Sequence, residues 1–151
     1  MNKIYNETKI VKKPWGQESW LLFGSQNPYA IKKILFKAGL RTSLQVHKFK
    51  FETNYVLFGT GKLLVSKCEF NIDNFLEKGM TPKEVEELES TLDVIDLSPG
   101  IHFSINPLMV HRVVAITDLE FIEVSTTELD DVYRLQDDQG RTHGKILTEH
   151  E

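Results

Sequence analysis

At 151 residues, the chain is sized for one domain with a buried core. A formal net charge of −4, with 40% hydrophobic and 26% charged residues, offers no bulk attraction for nucleic acid or an acidic membrane. The one cysteine, Cys68, excludes an internal disulfide and any two-thiol redox or zinc motif. No run approaches the ~18 apolar residues of a membrane span, and MNKIYNETKIVKK carries no apolar leader core. A cytoplasmic protein without nucleic-acid or membrane partners is expected.

Residues 1–13 are polar and basic, with Ile4, Ile10 and Val11 as docking points. Lys13-Pro14-Trp15-Gly16 is a turn signal, since Pro14 fixes φ and Gly16 permits unusual backbone angles. Strands are expected over Glu18–Phe23 and Tyr29–Phe36, separated by the turn Gly24–Pro28. After Gly39, a hairpin is expected over 39–59, then the turn Gly59-Thr60-Gly61 and a strand Lys62–Val65. Strands resume at Val94–Leu97, Ile101–Ile105, His111–Ile116 and Glu120–Ser125. Short strands with closely spaced turns predict an all-β fold, an antiparallel sandwich or barrel.

Residues 66–92 break this rhythm and read as an insertion. Thr81-Pro82-Lys83-Glu84 supplies a cap, a proline at the first helical position and a glutamate three after the cap. One short helix is therefore expected over 82–90, and its acidic run Glu84, Glu86, Glu87, Glu89 reads as a solvated face. The tail after Leu135 is polar without a core pattern.

The chemistry concentrates in GLRTSLQVHKFKFETNYVLFG, residues 39–59. Gln45 and His47 lie two apart and share one face of a strand. Glu52 has the wrong parity for a straight strand, so Lys48–Phe51 must turn for it to join them, with Tyr55–Phe58 returning alongside. Amide, imidazole and carboxylate from two adjacent strands suit a divalent metal; a half-buried hairpin with one surface histidine and one surface glutamate is the alternative.

Glu52 is followed by six residues and Gly59, while Gly100 precedes His111 at the spacing of a second half-motif. In this order the two halves resemble the paired motifs of the cupins. A narrower resemblance joins five blocks over residues 12–141. KPWGQE (13–18), AGLRTSLQ (38–45), Gln45-Val46-His47 with Glu52, INPLMVHR (105–112) and DVYRLQDDQGR (131–141) are similar to blocks of mannose-6-phosphate isomerase-like cupins. Phe49 stands where a second histidine belongs, Asn106, Leu108 and Ala115 replace Pro, Gly and Asn, and Gln139 replaces a tyrosine. The 66–92 insertion lies outside the resemblance.

The resemblance implies a cupin-type double-stranded β-helix (jelly-roll barrel) of one domain, residues 1–151, carrying the short helical insertion. It implies a divalent metal, Zn with Mn or Co as alternatives, held by Gln45, His47, Glu52 and His111. It implies a sugar-phosphate substrate and aldose–ketose isomerisation of mannose 6-phosphate and fructose 6-phosphate through an enediolate. Arg41, Lys50 and Arg141 are then the catalytic and phosphate-binding cations, with Glu18, Tyr55, Lys50 and His102 as candidate bases. A homodimer is expected by analogy. The alternative is a non-catalytic metal- or sugar-binding cupin with a degenerate site.

Overall fold

A computed structural model describes residues 3–128, 130–138 and 144–145. Two six-stranded sheets, with antiparallel pairings throughout, make up the fold. The strands are β1 (Lys9–Lys13), β2 (Gly16–Leu22), β3 (Ala30–Phe36), β4 (Leu44–Val46), β5 (Glu52–Phe58), β6 (Gly61–Val65), β7 (Asp93–Leu97), β8 (His102–Ile105), β9 (His111–Ala115), β10 (Leu119–Ser125), β11 (Tyr133–Gln136) and β12 (Gly144–Lys145). One sheet runs β1-β2-β3-β10-β5-β8 and the other β12-β11-β4-β9-β6-β7.

Alternation sets the faces. On β3, Ala30, Lys32, Ile34 and Phe36 are buried on one side. The main core lies between the sheets, where Ile34, Phe36, Val56 and Phe121 meet Leu63, Leu97, Val113 and Ala115. Trp15, held in the turn between β1 and β2, stacks on Phe36 with centroids 4.8 Å apart. Gly16 is obligatory at the close of that turn, because a Cβ there would lie 1.9 Å from the Leu35 carbonyl oxygen. Gly59 meets the same limit against the Asp118 carbonyl oxygen, at φ +86°.

The structure corrects the hairpin expected over 39–59. β4 and β5 belong to opposite sheets: β4 pairs with β9 and β11, β5 with β8 and β10. Residues 47–51 therefore cross from one sheet to the other, and the crossing does what the expected turn was meant to do.

The insertion holds two helices rather than one. Thr81 caps α2 (Pro82–Ser90) with the full capping box to Glu84, as its sequence predicts. The additional helix, α1 (Ile72–Lys78), starts at Asn71, whose side chain accepts from the Asn74 backbone N–H. Ile72, Phe75, Val85 and Leu92 pack with Leu44, Val46, Val110 and Leu135 into a second core. The helices thus cover the outer face of the β4–β9 region, burying these strands on both faces. β1 and β11 were not expected as strands; β1 buries only Val11, so its sequence lacks an alternating signal.

The acidic run of α2 is not uniformly solvated. Glu89 accepts from Arg112 at 2.9 Å, and Arg112, 0% exposed, also donates to the Thr42 carbonyl at 2.9 Å. Glu89→Ala leaves a buried guanidinium short of its anion and should lower the unfolding free energy by about 1–3 kcal/mol. Urea denaturation measures this; an unchanged midpoint would show that other groups fully compensate Arg112.

Candidate metal centre

Antiparallel register brings the site together. Gln45 on β4 pairs with His111 on β9, and both sheets contribute to one cavity. His47 sits one residue past β4, and Glu52 opens β5 in the facing sheet. The three side chains His47, Glu52 and His111 are buried, with donor atoms within 4.8 Å of one another. Glu52 Oε1 lies 3.4 Å from His47 Nε2 and 3.5 Å from His111 Nε2.

Tautomers follow from the hydrogen bonds. His47 Nδ1–H donates to the Asp131 carbonyl at 2.6 Å, and His111 Nδ1–H to the Met109 carbonyl at 2.9 Å. A carbonyl only accepts, so both Nδ1 atoms carry a hydrogen, and both Nε2 atoms face the carboxylate. His47 Nε2 is buried and has no hydrogen-bond partner. Burial, then the neighbouring His47, lowers the His111 imidazolium to about 4, which leaves His111 neutral at pH 7. Burial opposes ionisation of Glu52, but the Lys50 ammonium and then a hydrogen bond from Glu123 hold its carboxyl well below the usual range. Two imidazoles and a carboxylate, with backbone carbonyls fixing both rings, are the donor set and support a divalent cation requires. The residues fit a metal.

Gln45 lines the same cavity, but its Oε1 accepts from Ser43 Oγ at 3.0 Å and its Nε2 faces His111 Nε2 at 3.4 Å. An amide nitrogen is no ligand; exchange of oxygen and nitrogen by rotation would make Gln45 a fourth donor. Phe49 does not line the cavity and is 62% exposed.

Opposite the histidines stands a polar wall. Trp20, Lys32, Glu123 and Asn54 are in register across β2, β3, β10 and β5, and all are buried. Glu18 Oε1 accepts from Lys32 Nζ at 3.1 Å and from Trp20 Nε1 at 2.8 Å. Lys50 Nζ lies 3.3 Å from Glu123 and 3.8 Å from Glu52. Burial works against the Lys50 ammonium, yet Glu123, Glu52 and Glu18 outweigh it and raise its pKa. Burial, then Glu52, pushes the Glu123 carboxyl up to about 8.

Several expected site residues are placed elsewhere. Arg41 does not line the cavity; it pairs bidentately with Asp138, donating at 2.7 Å from its second nitrogen, and lies 3.6 Å from Glu89. Tyr55 and His102, offered as bases, pair across β5 and β8 on the outer face, both exposed, with rings 6.1 Å apart. Arg141 lies outside the described residues. Lys50 and Glu18 do line the cavity. Glu123 and Lys32 went unnoticed because each sits singly in an ordinary alternating strand; only their inward parity hinted at burial.

The cavity leaves about 70 Å³ open to water, above the ~10–15 Å³ that a single molecule needs. Among the described residues no helix is long and apolar enough to cross a membrane.

No family model matches the chain, and no curated protein does. Solved structures do. CapF bound to the inhibitor 3-isopropenyl-tropolone matches with TM-score 0.63 and 13% identity over 88% of this chain. This chain spans only 35% of CapF. Ectoine synthase from P. lautus matches with TM-score 0.59 and 15% identity, covering 88% of this chain and 86% of that one. A protein from Klebsiella pneumoniae subsp. pneumoniae with a double-stranded β-helix domain matches with TM-score 0.57 and 13% identity, covering 83% and 89%. At these identities the likeness is one of fold: this chain folds as a cupin-type double-stranded β-helix.

Proposed function

We propose that the protein is a metal-dependent enzyme that isomerises a sugar phosphate between aldose and ketose, with mannose 6-phosphate and fructose 6-phosphate as the pair to test. The observation that carries this reading is a buried triad able to hold a metal ion, lining one cavity with the Glu123 carboxyl. The sequence blocks shared with mannose-6-phosphate isomerase-like cupins supply the substrate class.

A divalent ion held by His47, Glu52 and His111, with Gln45 as a fourth donor after amide rotation, would supply Lewis-acid polarisation of the substrate's carbonyl and hydroxyl oxygens. The chain's own groups do the rest. Glu123, its pKa raised to about 8, is poised to take a proton from C2 and return it to C1, while the proton of the C2 hydroxyl passes to the C1 oxygen. Lys50, 3.3 Å from Glu123, stabilises the carboxylate that opens each cycle. Asn54, Lys32 and Glu18 present donors and acceptors that match sugar hydroxyls. Arg141 keeps the phosphate-binding role in this proposal, whereas Arg41 is already paired with Asp138 and Glu89.

A second reading, a non-catalytic sugar-binding protein, is favoured by one observation: Lys32 and Lys50 already have carboxylate partners inside the cavity. A coupled assay for fructose 6-phosphate formed from mannose 6-phosphate, with Zn²⁺, Mn²⁺ or Co²⁺ added to metal-stripped protein, separates the two. Metal-dependent turnover is expected. Sugar binding without turnover under every metal would replace the isomerase with the binding protein.

A further inference from the structure

We propose that Asp131 is a positioning residue of the metal centre, fixing the sheet-to-sheet crossing that sets His47 against Glu52. The inference rests on the metal site and not on the isomerase reaction. His47 and Glu52 flank residues 47–51, which leave one sheet after Val46 and enter the other at Glu52. No strand ladder spans that segment, so something else must hold the ligand spacing.

Asp131 supplies three of the bonds that do. Its Oδ2 accepts from the backbone N–H of Phe49 at 2.5 Å and of Lys50 at 2.9 Å, while its carbonyl accepts from His47 Nδ1–H at 2.6 Å. One residue therefore fixes both the ring of the first ligand and the path toward the second. Asp131 is itself buried, and β11 begins two residues later, with Tyr133 paired to Val46 on the ligand-bearing strand β4. Each end of the crossing has further tethers, the Phe51 carbonyl accepting from Thr126 N–H at 3.0 Å among them. Leu108 N–H donates to the His47 carbonyl at 2.7 Å, and Phe51 N–H donates to Thr126 Oγ1 at 3.1 Å. Between those ends the carboxylate of Asp131 gathers two successive amides, and hydrogen bonds to a charged acceptor are the stronger kind. Holding Lys50 N–H in place also aims the Lys50 ammonium at Glu123 and Glu52.

Cobalt binding tests this, read by calorimetry and by the visible absorption of bound Co²⁺. Asp131→Ala is expected to bind about 10–100-fold more weakly, the usual effect of losing a group that orients a ligand, with an altered absorption band. Asp131→Asn keeps one acceptor oxygen without the charge and should weaken binding about threefold or more. Val85→Ala, in the helix core far from the crossing in the chain, serves as the comparison: it should lower the thermal midpoint and leave cobalt affinity unchanged. Wild-type affinity and spectrum in Asp131→Ala would overturn the proposal, as would an equal loss in Val85→Ala. Should Asp131→Ala fail to fold, wild-type affinity in Asp131→Asn overturns it. A native protein that binds no cobalt sinks the metal site and the positioning role together, an outcome distinct from unaffected variants.

Discussion

Replacing His47 with alanine should reduce affinity for Zn²⁺ or Co²⁺ by well over the 10–100-fold typical of a lost supporting contact. The expectation follows from geometry. His47 Nε2 is a buried atom with no hydrogen-bond partner, and the ring is held by its Nδ1–H on the Asp131 carbonyl at 2.6 Å. An atom so placed gains little from the metal-free protein and a coordinate bond from an ion. Thermal unfolding gives a second readout. An ion at about 1,000 times its dissociation constant stabilises the native state by about 4 kcal/mol, so the native protein's midpoint should rise clearly on adding metal. That rise should vanish in His47→Ala and in His111→Ala. A midpoint that responds equally in all three proteins would show that the bound metal sits elsewhere.

Glu123→Gln should cost about 10²–10⁴-fold in isomerase turnover, the range for loss of a general acid–base group, with metal affinity changed far less than in His47→Ala. Steady-state rates on the metal-loaded protein test this; turnover within threefold of the native value would remove Glu123 from proton transfer. The same variant has a signature in the metal-free protein. Folding raises the Glu123 pKa from the ordinary 4.5 to about 8, so between those values the native state holds a proton that the unfolded chain has released. The stability associated with this group is therefore full below pH ~4.5 and is lost as pH rises toward ~8. Glu52 behaves oppositely: its lowered pKa makes its contribution present above ~4.5 and lost on acidification. Glu123→Gln should flatten the neutral limb and leave the acid limb, as measured by denaturant unfolding of metal-free protein across pH.

The local elements were legible where their signal is local. The box from Thr81 to Glu84 announces α2 because a cap and its reciprocal glutamate lie within one turn. The glycine-bracketed turn at Gly59 is legible for the same reason. By contrast, α1 has only Asn71, Ile72 and Phe75 to mark it, and β1 has only Val11 buried. Their formation depends on surfaces supplied by distant strands, which periodicity within a short window does not report. Leu108 adopts φ +70° where the resembled pattern has glycine; a β-carbon in that region is disfavoured, and nothing in the neighbouring residues signals it.

The sequence by itself determined that this chain would be a β-rich fold of short antiparallel strands. Parity alone put Gln45 and His47 on one strand face and offered Glu52 from the next strand, while His111 joined them as a candidate only through the motif resemblance. Only the tertiary structure decided that β4 and β5 lie in opposite sheets, that Arg41 turns to Asp138 and away from the cavity, and that Lys32, Lys50, Glu18 and Glu123 converge opposite the histidines. The reason is register. Which strands become neighbours, and which inward positions face each other across a barrel, follows from long-range pairing and from burying charges only where partners exist. The residues for that pairing are far apart in the chain, so the polar wall becomes visible only once the barrel has closed around it.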